Sequence, residues 1–62
     1  MLIKPLYDHN TYDIFLGEGW MNWVRVKTTT DELIVIDKAE TVEITGKLTE
    51  LIYFKIKRYR RQ

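Results

Sequence analysis

The amino-acid sequence predicts an all-β protein, either a small five-stranded antiparallel curled sheet or an SH3-like barrel. Three observations carry this prediction. The chain has only 62 residues, β-branched and aromatic residues occur along its whole length, and polar turn clusters recur about every ten residues. A barrel hides its strand edges by near closure. At this length we expect a single small domain over residues 1–62.

The first predicted strands are separated by a polar turn. Residues 2–7 form an extended piece, and residues 8–10, Asp-His-Asn, form a turn because Asp and Asn side chains bond nearby backbone groups. Residues 12–16 alternate between apolar and other side chains, which predicts a strand with Tyr12 and Ile14 on its inner face. Two glycines follow and end this strand.

The longest predicted strand covers residues 20–29, with Val24 and Val26 facing inward. Its outward side chains are Trp23, Arg25 and Lys27. The uniformly apolar run at 33–36 predicts a central strand that is buried on both faces. Residues 41–45 alternate again and predict a further strand, with Val42 and Ile44 facing inward.

The last segment fits two patterns. As a strand over 51–59 it places Ile52, Phe54 and Ile56 inward, with residues 46–50 as a hairpin loop. As a helix over 48–60 it carries an apolar stripe, with Thr49 as a conceivable N-cap. The composition Ile-Tyr-Phe-Lys-Ile favours the strand, so a sheet with a C-terminal helix is the alternative fold.

The net charge of +1 conceals a strong asymmetry along the chain. Residues 1–54 carry five basic and nine acidic side chains, a net charge of −4, whereas residues 55–62 carry five basic side chains and no acid, a net charge of +5. A segregated basic end of this kind indicates contact with nucleic acid, an anionic membrane or an acidic partner.

Aromatic rings and cations alternate on the outward faces of the strands predicted at 20–29 and 51–59. Single-stranded nucleic acid needs such a surface, because bases stack on the rings for ~1–3 kcal/mol each and cations neutralise the phosphates. A solvated strand also alternates long cations with Tyr, so an ordinary surface is the competing interpretation. The predicted nucleic-acid-binding residues are Trp23, Arg25, Lys27, Tyr53, Lys55, Lys57, Arg58, Tyr59, Arg60 and Arg61.

The stretch at 17–23, Gly-Glu-Gly-Trp-Met-Asn-Trp, supports a second hypothesis, a protein-interaction module. Trp is enriched at interaction hot spots, and strand alternation predicts one Trp in the core and Trp23 outside. The protein is then a regulator or inhibitor of a larger protein, or a homo-oligomeric subunit such as a homodimer paired through edge strands.

No residue set indicates catalysis, a metal, a cofactor or a small-molecule substrate. The chain has no Cys and no Ser, and its one histidine, His9, lies in a polar turn without a second typical metal ligand. The longest apolar runs have four residues, whereas a membrane span needs about 20, and no signal peptide is visible. We therefore expect a cytoplasmic, non-enzymatic binding protein that does not contact membranes.

Overall fold

Four antiparallel strands followed by one helix make up the regular structure in residues 1–61, the part of the chain that the computed structural model describes. The elements in chain order are β1 (Leu2–Pro5), β2 (Thr11–Phe15), β3 (Trp23–Thr28), β4 (Leu33–Lys38) and α1 (Gly46–Arg60). Each strand pairs with the next, so the sheet has the order β1-β2-β3-β4 with β1 and β4 at its edges. The five-stranded sheet and the closed barrel are therefore not formed, and the alternative of a sheet with a C-terminal helix is confirmed.

The core lies between one face of the sheet and α1. It consists of Tyr12, Ile14, Val24, Val26, Val42, Ile52 and Ile56, all buried. The two central strands, β2 and β3, supply four of these side chains, because their alternating apolar positions point to the same face. The predicted inward directions in both strands are confirmed.

The turn between β1 and β2 is built around Asp8. Its carboxylate accepts hydrogen bonds from the backbone N–H groups of Asn10 and Thr11, at 3.1 and 2.8 Å, and from the Thr11 hydroxyl. His9 takes the left-handed backbone conformation, with a φ of 65°, which polar turn residues tolerate better than β-branched ones. The hydrogen bond from the Thr11 hydroxyl, followed by the two backbone bonds, lowers the pKa of Asp8 below its ordinary value of 3.8 despite some desolvation.

β3 begins at Trp23, three residues later than the sequence predicts, because residues 17–22 form a loop. Gly17 and Gly19 both have positive φ, 69° and 83°, a backbone region that glycine enters without a Cβ clash. The Leu16 N–H donates to the Asn22 carbonyl at 2.8 Å and closes the loop.

The expectation that residues 33–36 form a central strand buried on both faces is wrong, because β4 lies at an edge of the sheet. Leu33 and Val35 face the core and are half-buried, whereas Ile34 and Ile36 are exposed. Within the described residues no helix or further sheet covers the other side of the sheet, so Ile34 and Ile36 remain exposed to solvent.

Residues 41–45 do not form the predicted strand, although the side-chain directions were predicted correctly. Val42 is buried and Ile44 packs against the core. The segment has to pass from the edge of the sheet to the helix on its inner face, so it crosses the sheet instead of running beside β4. A hydrogen bond of 2.7 Å from the Thr41 hydroxyl to Asn22 Oδ1 ties it to the loop before β3.

The strand preferred for residues 51–59, and the hairpin loop for 46–50, are wrong because both segments belong to α1. Ile52 and Ile56 are 0% and 1% exposed, while Phe54 between them is 54% exposed. A strand would place all three on one face, whereas helical geometry separates Phe54 from the other two. The apolar face of a four-stranded sheet needs a cover, and this requirement outweighs the strand propensity of the local sequence.

The N-cap of α1 is Thr45, four residues earlier than the predicted Thr49. The Thr45 hydroxyl accepts from the Leu48 N–H at 3.1 Å, and its backbone is extended as an N-cap requires. Thr49 lies inside the first turn, where its hydroxyl donates to the Gly46 carbonyl at 2.9 Å.

Candidate nucleic-acid interface

The predicted binding residues lie on two sides of the sheet. Because Val24 and Val26 point toward α1, the alternate side chains of β3 lie on the opposite side, which we call the open face. Trp23, Arg25 and Lys27 lie there, whereas the other predicted residues, Tyr53, Lys55, Lys57, Arg58, Tyr59 and Arg60, lie on α1, with Arg61 directly after it. The predicted surface, formed by the outward faces of strands at 20–29 and 51–59, is therefore not present. Gln62, the last residue of the predicted basic end, lies outside the described residues.

Arg25 on the open face is already paired. Its Nε and Nη2 donate to the two carboxylate oxygens of Asp13 at 2.7 and 3.1 Å, a bidentate arrangement across the β2–β3 pair. The hydrogen bond that Arg25 donates to Asp13, together with the negative charge of Asp13, raises the pKa of Arg25. A bound phosphate would have to compete with this carboxylate.

The outer side of α1 combines aromatic rings with cations. Lys57 Nζ lies 4.3 Å from the centroid of the Tyr53 ring, and Arg58 Cζ lies 5.8 Å from that of Phe54. Both pairs have the i, i+4 spacing that brings side chains together on a helix, and both distances fall within the range of cation–π attraction. The cations are held against apolar rings while their charge remains exposed.

Tyr59 has a structural contact as well as a predicted binding role. Its ring meets the ring of Tyr12 edge to face, with centroids 6.4 Å apart and planes at 82°, a favourable geometry for an aromatic pair. Beside it, Ile3, Lys55, Arg58 and Tyr59 line a cavity of about 260 Å³ between α1 and β1.

Two predicted residues from different elements meet at one end of the sheet. Lys27, near the end of β3, and Arg60, in the last turn of α1, line the same cavity of about 360 Å³. Its remaining lining consists of Asn10 and the three threonines at 28–30. Arg60 Nη2 reaches Asn10 Oδ1 at 3.4 Å, a long hydrogen bond.

The cations of α1 have no acidic partner within residues 1–61. The single ion pair in this part of the chain joins Arg25 and Asp13. Most acidic side chains lie in connecting segments, namely Asp8, Glu18, Asp31, Glu32, Glu40 and Glu43. Basic residues in the last turn also stabilise the negative end of the helix dipole, but this stabilisation does not neutralise their charge.

Trp20 is a residue whose exposure sequence analysis did not predict. It is 82% exposed, whereas Trp23 is half-buried on the open face and also lies outside the core, so the expected division into one core Trp and one exposed Trp23 is wrong. Trp20 lines a cavity of about 270 Å³ with Leu2, Lys4, Phe15 and Gly19. The sequence signal for this exposure was the pair Gly17 and Gly19 just before Trp20, since closely spaced glycines indicate a loop instead of the start of a strand.

The part of the chain that the structure describes contains no group of three or more His, Cys, Asp or Glu side chains placed to hold a metal ion. Within residues 1–61, α1 falls short of the length and apolar character needed to cross a bilayer.

Comparison with protein-family models, with curated proteins and with solved structures finds no significant match.

Proposed function

We propose that this protein is a small, non-enzymatic binding module that contacts the phosphate backbone of nucleic acid through the basic end of its helix. The supporting observation is the density of unpaired charge there. Lys55, Lys57, Arg58, Arg60 and Arg61 are exposed and have no carboxylate partner within residues 1–61. Each phosphate that such a cation neutralises releases condensed counterions, so binding is favourable and falls steeply with salt.

The distribution of charge favours one orientation of the ligand. Residues 1–54 carry a net charge of −4 and repel phosphates, whereas residues 55–62 carry +5 and attract them. The polyanion is therefore expected to approach the C-terminal half of α1. Tyr53 and Phe54 already contact Lys57 and Arg58, so the interaction is mainly electrostatic, with base stacking in a minor role.

A titration with fluorescent single-stranded and duplex oligonucleotides at two salt concentrations tests this function. The informative variant is the triple change Lys57→Gln, Arg58→Gln and Arg61→Gln, because Gln keeps the helix propensity of Lys and Arg. Removal of residues 57–62 is less suitable, since it also deletes Tyr59 and its contact with Tyr12.

The matched control replaces Lys4, Lys38 and Lys47 by Gln, which removes the same net charge from other parts of the molecule. We expect wild type and control to bind with similar affinity, and the α1 variant to bind at least tenfold more weakly with a reduced salt dependence. No binding by wild type at low salt, or equal losses in the two triple variants, contradicts the proposal.

A second candidate function is a protein contact through the open face, as a regulator or inhibitor of a larger protein or as a homo-oligomeric subunit. The observation that favours it is the apolar cluster around Trp20. An exposed Trp beside Leu2 and Phe15 has the composition of an interaction hot spot. Ile34 and Ile36 are also exposed, but they lie on β4, at the opposite edge of the sheet from β1, and form a separate apolar patch.

Light scattering and affinity capture distinguish these two forms of the second candidate. Trp20→Ala is the informative variant, and Phe54→Ala, an equally apolar change on α1, is the control. We expect self-association or a captured protein to be lost with Trp20→Ala and kept with Phe54→Ala. A wild-type protein that stays monomeric and captures nothing contradicts this function.

A further inference from the structure

The cavity of about 360 Å³ at the end of the sheet differs from the other concave sites in the chemistry of its lining. Lys27 and Arg60 supply two cations, Asn10 an amide, and residues 28–30 three threonine hydroxyls. Among residues 1–61, no carboxylate and no apolar side chain lines it. Its volume lies at the lower end of the range of about 300–1,000 Å³ that is typical of ligand pockets.

The two cations are available to a ligand. Within the described residues neither Lys27 nor Arg60 forms an ion pair, in contrast to Arg25 on the same strand as Lys27. In the same part of the chain, the one hydrogen bond of the Arg60 side chain is the long contact of 3.4 Å to Asn10. Asp8 attracts Lys27 electrostatically, but its carboxylate already accepts three hydrogen bonds in the β1–β2 turn.

Internal hydrogen bonds hold the Asn10, Thr28 and Thr29 part of the lining in place. The Thr28 hydroxyl donates to the Asn10 carbonyl at 3.3 Å and thereby joins the end of β3 to the β1–β2 turn. The Thr29 N–H donates to the Glu32 carbonyl at 2.9 Å, and the Glu32 N–H donates to the Thr29 hydroxyl at 3.3 Å. This part of the lining is therefore held by the end of β3 and by two turns, so a ligand would have to order only the exposed side chains of Lys27 and Arg60.

We propose that this cavity binds one phosphate group, and that in the complex with nucleic acid it holds a single backbone phosphate between Lys27 and Arg60. This inference rests on the proposed function, which it deepens by naming one site. Arg60 presents a planar fork of donors that matches phosphate oxygens, Lys27 adds a point charge, and Thr30, which also lines the cavity, brings a hydroxyl that can donate.

The site also explains how a residue of the sheet takes part in a surface built mainly from α1. The cavity is lined by Arg60 from the last turn of α1 and by Lys27 from β3. A bound nucleic acid would follow the helix and then reach the cavity beside residues 28–30, where β3 ends.

The test uses the full chain, with inorganic phosphate and a short oligothymidylate as probes. Backbone amide chemical shifts of residues 28–30 report on the cavity, and fluorescence anisotropy reports on oligonucleotide affinity. The variants are Lys27→Gln, Arg60→Gln and the double change, and Lys47→Gln, which removes one charge from the first turn of α1, is the control.

We expect both probes to shift the amides of residues 28–30 in wild type and in Lys47→Gln, and not in the double variant. Each single variant is expected to lose about tenfold in oligonucleotide affinity, the loss expected for one charge-assisted contact. The double variant should lose less than the product of the two single losses, because both cations act on the same phosphate.

The possible failures are distinguishable. Oligonucleotide binding that is unaffected by Lys27→Gln and Arg60→Gln overturns this site and leaves the proposed function intact. Shifts with inorganic phosphate that need both cations, in a chain that does not bind the oligonucleotide, support the phosphate site and overturn the proposed function. Fully additive losses assign the two cations to separate phosphates and overturn the shared site.

Discussion

The outer side of α1 and the open face of the sheet use the same kinds of side chain in different ways. On the open face, Arg25 is bound by Asp13 through two hydrogen bonds, and the ring of Trp20 is left uncovered. On α1, Lys57 lies over the ring of Tyr53 and has no carboxylate partner within residues 1–61. The open face therefore offers an apolar ring to a protein partner, whereas the outer side of α1 offers positive charge to an anion.

The difference shows why a list of aromatic and basic residues does not identify an interface. What each residue offers to a ligand depends on what it already contacts. A cation held in a bidentate ion pair contributes little to phosphate binding, because the ligand must displace a carboxylate of the same charge. The two surfaces therefore call for separate tests.

The contrast between the inner and outer sides of α1 predicts the largest effect, a difference in unfolding free energy between two substitutions on the helix. Ile52→Ala removes a fully buried side chain beneath the helix and should cost about 2–5 kcal/mol of unfolding free energy, enough to unfold much of a small domain. Phe54→Ala, two residues away on the outer side, should change stability by less than about 0.5 kcal/mol. Urea denaturation followed by circular dichroism measures both. Equal costs would indicate that the two side chains share a face, as in a strand.

The contrast between paired and unpaired arginines predicts a second, smaller effect. Arg58→Gln should weaken oligonucleotide binding several-fold and lower the salt dependence by about 0.7 per lost contact with a single strand. Arg25→Gln should change the affinity by less than about twofold, since Asp13 already holds that guanidinium. Anisotropy titrations at several salt concentrations give both quantities. A larger loss for Arg25→Gln would transfer the interface to the open face.

The N-cap of α1 predicts a loss of stability that depends on which threonine is replaced. Thr45→Ala removes the hydroxyl that accepts from the Leu48 N–H and should cost about 0.5–2 kcal/mol of unfolding free energy. Thr49→Ala removes only a hydroxyl that donates to a carbonyl within the first turn and should cost less. Thermal unfolding of the two variants under one set of conditions is the measurement. A greater cost at Thr49 would indicate that the helix begins later.

The turn between β1 and β2 predicts a pH dependence of the stability of the fold. Because hydrogen bonds from Thr11 and from the turn backbone lower the pKa of Asp8 in the folded state, its charge stabilises the fold above the ordinary value of 3.8. This stabilisation is lost as the pH falls through the lowered pKa. The urea midpoint of wild type should therefore decline more steeply than that of Asp8→Asn as the pH falls below 3.8. Parallel curves for the two proteins would show that the Asp8 charge contributes nothing.

The sheet was largely predictable from the sequence, because its central strands alternate strictly. Period-two alternation allows Tyr12 and Ile14 to share a face, and the same holds for Val24 and Val26. Alternation also gave the inward direction of Val42, although that residue lies in a crossing segment. The alternation of apolar and polar residues along a segment predicts which side chains are buried. It does not predict whether a neighbouring strand pairs with that segment.

The candidate site was less predictable than the sheet. Composition located the basic end at 55–62 but not its geometry, and the meeting of Lys27 with Arg60 depends on packing between residues that are distant in the chain. The pairing of Arg25 with Asp13 also depends on the register of β2 with β3. Neither contact follows from spacing along one element.

The sequence by itself determined the two central strands, the polar turns and the division of charge between residues 1–54 and 55–62, since these depend on local periodicity and composition. Only the tertiary structure decided that residues 46–60 form a helix. The segment carries a strand pattern and a helix pattern at once, and an open sheet with one apolar face is best covered by an element that turns Ile52 and Ile56 inward and Phe54 outward.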